Sequence, residues 1–145
     1  MQIRRIEQRD AERVTALWDR ASRETPDGGP LQPRGRANIA AMLTLSAASP
    51  HAACFVAEGD DELHGFVLAE LHDDGLLPGR YGRIEELTGP RELLPELLAA
   101  AVGWLREHGA EVIRADADED DPEAVALLSE LGWQREAIRF ALYDD

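Results

Sequence analysis

Two adjacent carboxylates, Glu85 and Glu86, lie in the stretch Arg83-Ile84-Glu85-Glu86-Leu87-Thr88, within a predicted strand running from Tyr81 to Thr88. A glutamate facing an apolar pocket has its charged form destabilised, which raises its pKa toward the range useful for accepting a proton. Neighbouring strand residues point to opposite faces, so at most one of the pair is expected to face any given cleft. The competing reading is a solvated or ion-paired glutamate, with Arg83 or Arg114 as its partner.

Other reactive residue types point to less. Asp116, Asp118, Asp120 and Asp121 have the D-x-D-x-D spacing of a calcium loop. Such a loop also needs a glycine at position 121 and a glutamate at 127, and the chain has Asp121 and Leu127. A strand end followed by a helix cap accounts for the run. His51, His64, His72 and His108 show no ligand spacing, so no metal site is expected. Cys54, the single cysteine, sits between Ala53 and Phe55 and reads as a small buried hydrophobe. It can form neither an intramolecular disulfide nor a cysteine-based metal site. All 15 basic residues are arginine, which removes lysine Schiff-base chemistry.

The elements that must hold these residues alternate between strand and helix patterns. Gln2 to Ile6 reads as a strand, and Asp10 can cap a helix through about Arg23 with Val14, Leu17, Trp18 and Ala21 on one face. Thr25-Pro26-Asp27-Gly28-Gly29-Pro30 is loop, and a second helix is expected over Arg36 to Ala47. Ala53 to Ala57 and Leu63 to Leu71 flank Glu58-Gly59-Asp60-Asp61-Glu62 and form an expected antiparallel hairpin.

After the strand ending at Thr88, Gly89-Pro90 leads to a helix starting at Leu94 or Pro95, where proline is tolerated. Its apolar face is Leu94, Leu97, Leu98, Ala101, Val102 and Leu105, and His108-Gly109 ends it. Val112 to Ala117 is the next strand. Asp120 or Asp121 then caps a last helix that closes at Leu131-Gly132-Trp133. Trp133 to Glu136 and Ile138 to Leu142 are expected to be closing strands. This order predicts one α/β domain over residues 1–145.

Two segments carry a family resemblance. Ala57, Glu58 and Leu63-His64-Gly65-Phe66-Val67 are similar to the "VAE-x-G-x-x-VGF" hairpin of the GNAT N-acetyltransferase superfamily. The run from Asp120 to Trp133 resembles its "N-P-x-A-x-x-L-Y-x-x-L-G-F" segment. The resemblance implies a GNAT-like fold, a mixed central sheet of six to seven strands flanked by about four helices. It implies acetyl-CoA as cofactor and transfer of an acetyl group to a primary amine of a small molecule or peptide. Glu86 or Glu85 would act as base, and backbone N–H groups near Leu87 to Gly89 would meet the oxyanion. The cofactor-binding positions implied are Leu87, Thr88, Gly89, Arg91, Glu92 and Asp121.

The chain departs from the family pattern in the loop R/Q-x-x-G-x-G/A, whose glycines let backbone N–H groups gather around a pyrophosphate at a helix N-terminus. Gly89 stands at the R/Q position, Glu92 and Leu94 stand where glycines belong, and the connection is shorter. Glu92 and Glu96 add negative charge, Pro95 removes a donor, and Arg91 with Arg80 or Arg83 offers partial compensation. Leu128 replaces the tyrosine that protonates the departing thiolate in many members. The alternative implied is a catalytically inactive GNAT-fold domain used for binding, regulation or dimerisation, with a homodimer as one arrangement.

The net charge of -14 argues against a general nucleic-acid surface and favours cationic partners or substrates. No apolar run approaches the ~20 residues that span a bilayer, and the N-terminus lacks a signal-peptide apolar region, so a cytoplasmic protein is expected.

Overall fold

The computed structural model describes residues 1–25, 28–73, 75, 79–118, 121–137 and 140–143. β1 (Gln2–Arg5) is followed by a 3-10 turn, Gln8–Asp10, and by α1 (Ala11–Glu24) and α2 (Pro33–Ser46). Next come β2 (Ala52–Gly59), β3 (Glu62–His72) and β4 (Arg80–Thr88). A second 3-10 turn, Arg91–Leu93, opens α3 (Leu94–Glu107), and β5 (Ala110–Ala115) and α4 (Pro122–Glu130) complete the set. The five strands lie in the order β1-β2-β3-β4-β5, antiparallel except for the parallel β4–β5 pair.

Local chemistry explains most of these boundaries. The β2–β3 hairpin turns through Asp60 and Asp61, both at positive φ (53° and 62°), a conformation that aspartate tolerates and that matches strand twist. α2 starts three residues earlier than expected because Pro33 occupies its first turn, where no N–H is needed. Asp121 caps α4 by accepting from the Ala124 N–H at 3.1 Å. Asp10, expected to cap α1, makes no capping bond there.

Each face of the sheet buries its own cluster. β3 contributes to both, so Phe66 to Ala69 is a continuous buried run. Phe66 and Leu68 join Cys54, Val56, Ile6, Val14 and Leu43 on the α1–α2 face. Val67 and Ala69 join Ala53, Ala57, Ile84, Leu97, Leu98, Ala101 and Leu105 on the α3 face, with Leu128 and Trp133 packed against it. Cys54 is buried as expected, and desolvation pushes its thiol up to about 12, which leaves it inert at neutral pH.

The sheet has five strands rather than six to seven. No strand follows α4 among the described residues; Gln134 to Ala137 and Phe140 to Tyr143 are exposed, and Glu136 is engaged in an ion pair with Arg114. Ile138 and Arg139, part of the second expected closing strand, lie outside the described residues. No helix among the described residues is long and apolar enough to cross a membrane.

Asp10 is a hub instead of a cap. It is fully buried and accepts from Arg4 Nη1 at 2.7 Å, Arg4 Nη2 at 3.1 Å and the Glu7 N–H at 2.8 Å. Arg4 also donates to Glu58 on β2, tying β1, β2 and the entry to α1 together. The Arg4 hydrogen bonds, with the Glu7 N–H behind them, hold the Asp10 carboxyl below its ordinary range against the opposing effect of burial. Its folded pKa is therefore below its unfolded one. The resulting stability is present above the unfolded value and is lost as pH falls through the folded value. Asp10→Asn, which leaves Arg4 short of a charge partner, is expected to cost about 3 kcal/mol in denaturant unfolding at pH 7. The gap between variant and parent is expected to narrow as pH falls through the lower acid range.

Candidate active site

The site forms where β4 outruns its parallel partner. Pairing with β5 ends at Ile84↔Ala115, whereas β4 continues to Thr88. Past that point Glu85 to Thr88 of β4 has no pairing with β5, which ends at Ala115, and this stretch borders the candidate cleft. Gly65 and Gly89 lie in close contact at its end. A Cβ on Gly65 would meet Thr88 O at 2.7 Å, and one on Gly89 would meet Gly65 Cα at 3.1 Å, so both positions need glycine.

β4 carries a bulge beside this cleft. Leu68 pairs with Glu86, but the next residue, Ala69, pairs with Ile84, so Glu85 is the extra residue. Glu86 shares the α1–α2 face with its partner Leu68, and Thr88 shares that face with Phe66. The bulge swings Glu85 to that face as well, within 3.9 Å of His72 and 3.3 Å of Arg83 Nε. The expectation that only one of the two glutamates can face a given cleft is thus corrected, because a bulge interrupts the alternation on which it rests.

The two carboxylates have different environments. Glu86 is half-buried, and its one side-chain donor is the Thr88 hydroxyl at 3.3 Å. Desolvation raises its pKa, only partly offset by that bond and by the Leu87 backbone. Glu85 is more exposed; desolvation and then the neighbouring Glu70 raise its pKa, while Arg83 and His72 oppose the rise. Of the two, Glu86 is the more buried and, among the described residues, makes no ion pair.

The remaining candidates divide between the cleft and a second groove. Leu87 turns to the α3 face and packs on that core. Arg91 is at the start of the 3-10 turn before α3. It donates to the Glu123 carbonyl at 3.1 Å and to Glu130 Oε2 at 3.0 Å, bridging to both ends of α4. A groove of about 430 Å³ lined by Arg91, Pro122, Glu123 and Ala126 separates these elements. Asp121 is consumed in capping α4, and Glu92 is exposed. Asp116 pairs with Arg83, and Asp120 lies outside the described residues.

Neither protein-family models nor curated protein sequences give a match to this chain, and the likeness that exists is one of structure. A complex of the aminoglycoside N-acetyltransferase AAC(6')-Iy with a CoA-based bisubstrate analogue superposes with a TM-score of 0.75 at 18% identity, over 99% of this chain and 97% of that one. The chain has the GNAT fold. A protein of Arthrobacter sp. FB24 assigned as an acetyltransferase gives a TM-score of 0.79 at 21% identity, over 99% of this chain and 96% of that one. The soil-metagenome aminoglycoside acetyltransferase meta-AAC0020, solved with sisomicin, gives 0.70 at 14% identity, over 99% and 96%.

Sequence spacing missed the neighbours of Glu85. Glu70 and His72 lie on the same face because they alternate along β3, a pattern visible in Glu70-Leu71-His72, but their meeting with Glu85 depends on the bulge. A half-buried carboxylate with no cationic partner is unfavourable at neutral pH, and its penalty disappears as pH falls through its raised folded pKa. Glu86→Gln is therefore expected to raise folding stability at pH 7 by about 1 kcal/mol, measured by denaturant unfolding, with the gain shrinking on acidification.

Proposed function

We propose that this chain is an acetyl-CoA-dependent N-acetyltransferase acting on a primary amine of a cationic small molecule or peptide. The observation that carries this reading is a half-buried Glu86 with no ion-pair partner among the described residues, on the stretch of β4 beyond its pairing with β5. When bound, acetyl-CoA supplies an acetyl group activated as a thioester. The extended arm of the cofactor suits the free edge of β4, where backbone groups of Glu85 to Thr88 are open to a strand-like ligand. N–H groups near Leu87 to Gly89 would face the developing oxyanion.

Glu86 takes the proton from the amine, directly or through a water, as the nitrogen attacks in a ternary complex. The Thr88 hydroxyl holds that carboxylate in place. Glu70, Glu85 and Glu86 on one face give the acceptor side negative charge, which favours a substrate with several ammonium groups. Leu128 is half-buried in the α3 core and cannot return a proton to the departing thiolate, which then leaves as the anion or takes a proton from water.

The anion end of the cofactor meets a poorer setting. Arg91 is the basic side chain on the groove between α3 and α4, and Glu130 already neutralises it. Glu92 and Glu96 lie in the first turns leading into α3, and each carboxylate there costs roughly 0.3–1 kcal/mol against a bound anion. Pro95 removes one N–H donor. The residues thus fit the pantetheine portion well and the pyrophosphate through Arg91 alone, which predicts weak cofactor binding. The same observation supports the second reading, a GNAT-fold domain that has lost transfer activity and serves as a binding or dimerisation module.

Calorimetric titration of acetyl-CoA separates the two readings. Binding in the micromolar to sub-millimolar range is expected for the enzyme, and no heat at millimolar cofactor overturns it. Glu130→Gln, which releases Arg91, is expected to tighten CoA several-fold. With a cationic amine acceptor, Glu86→Gln is expected to lower kcat by about 10²-fold with little change in the KM for acetyl-CoA.

A further inference from the structure

We propose that Glu70, His72 and Glu85 form a binding site for a divalent transition-metal ion of the Zn²⁺ class. Glu70 and His72 project from the same face of β3, and the bulge in β4 brings Glu85 to meet them. His72 Nε2 lies 3.3 Å from Glu70 Oε2 and 3.9 Å from Glu85 Oε1, and one ligand atom from each residue falls within 4.8 Å of the other two. Ligands bound at ~2.0–2.2 Å around a tetrahedral ion are themselves about 3.3–3.5 Å apart, so small side-chain rotations complete the set.

A second, independent observation points to a missing ligand. The His72 Nε2 atom is buried yet makes no hydrogen bond of proper geometry, although two carboxylates stand beside it. The imidazole plane is fixed by stacking on Tyr81, with centroids 5.0 Å apart and 17° between the rings. A buried ring nitrogen held in a fixed direction beside two carboxylates is the arrangement a metal requires of histidine. One nitrogen with two carboxylates suits Zn²⁺ or a neighbouring transition ion over Mg²⁺ and Ca²⁺, and three protein ligands leave a position for water or a ligand. A groove of about 440 Å³ lined by His51, Leu71, His72, Asp73 and Arg80 has one of the three residues, His72, on its wall.

The competing cation is Arg83, whose Nε is 3.3 Å from Glu85 Oε1 and whose guanidinium is also held by Asp116. Metal binding takes a Glu85 oxygen from Arg83 and leaves the arginine paired with Asp116. It also relieves the repulsion between Glu70 and Glu85. The ion would join β3 to β4 beside Glu86, and the site exists whether or not the chain transfers acetyl groups.

The test uses the full chain, freed of metal with EDTA and titrated with ZnCl₂ by calorimetry, with visible absorption of the Co²⁺ form as a second readout. One ion per chain with a micromolar Kd and a Co²⁺ ligand-field spectrum are expected. His72→Gln and Glu70→Gln should each weaken binding at least tenfold while the circular dichroism spectrum is unchanged, and His51→Gln should leave it intact. No binding of Zn²⁺ at millimolar concentration overturns the proposal. So does binding that survives both ligand substitutions, which would locate the ion elsewhere on the acidic surface.

Discussion

The parallel ladder between β4 and β5 stops at Ile84 and Ala115 while β4 runs on to Thr88, and the proposed chemistry depends on that mismatch. A strand that continues beyond its neighbour presents backbone donors and acceptors without a partner, and those groups are strong enough to require one. The unpaired stretch is therefore a candidate hydrogen-bonding edge. On the other side of β4, pairing to β3 continues to Thr88, so this edge is held by a central strand buried from Gly65 to Ala69.

The bulge at Glu85 adds a second consequence to the same strand. An extra residue in β4 breaks the two-residue period and turns both adjacent carboxylates toward the α1–α2 face. Their environments then diverge: Arg83 and His72 stand beside Glu85, whereas Glu86 is half-buried and accepts from the Thr88 hydroxyl. One backbone irregularity thus yields a desolvated carboxylate and, beside it, the cluster of Glu70, His72 and Glu85. The Gly65–Gly89 contact holds the end of this arrangement together, since any side chain at either position would push β3 away from the end of β4.

Charge sets the limits of the cofactor end. Arg91 bridges the start of α3 to α4 through Glu123 and Glu130, so the side chain best placed to meet an anion is also part of the packing between two helices. Using it for a ligand means breaking an exposed ion pair, which is a small cost, in a field of acidic residues, which is a persistent one. The acidic surface acts in opposite senses on the two substrates of an acetyl transfer, drawing in a cationic amine and repelling a phosphorylated cofactor.

Much of the fold was legible in the sequence. Apolar patterns and local turn and cap residues give the hairpin around Asp60-Asp61, the helix beginning at Leu94 or Pro95, and a cap at Asp120 or Asp121, because these depend on neighbours a few residues away. The two expected closing strands, Trp133 to Glu136 and Ile138 to Leu142, are not strands among the described residues, where Gln134 to Ala137 and Phe140 to Tyr143 are exposed. Asp10 reads locally as a cap and is instead the centre of an ion network, since Arg4, which bridges Asp10 to Glu58, is placed by the pairing of β1 with β2. The sequence by itself determined which residues are candidates for chemistry, Glu85, Glu86 and Arg91 among them, and which elements they lie on. Tertiary structure alone decided that both glutamates share a face, that His72 and Glu70 stand beside one of them, and that Arg91 is already paired. The physical reason is that a bulge and an ion pair are fixed by strand register and helix packing between distant segments, and neither leaves a periodic trace in the chain.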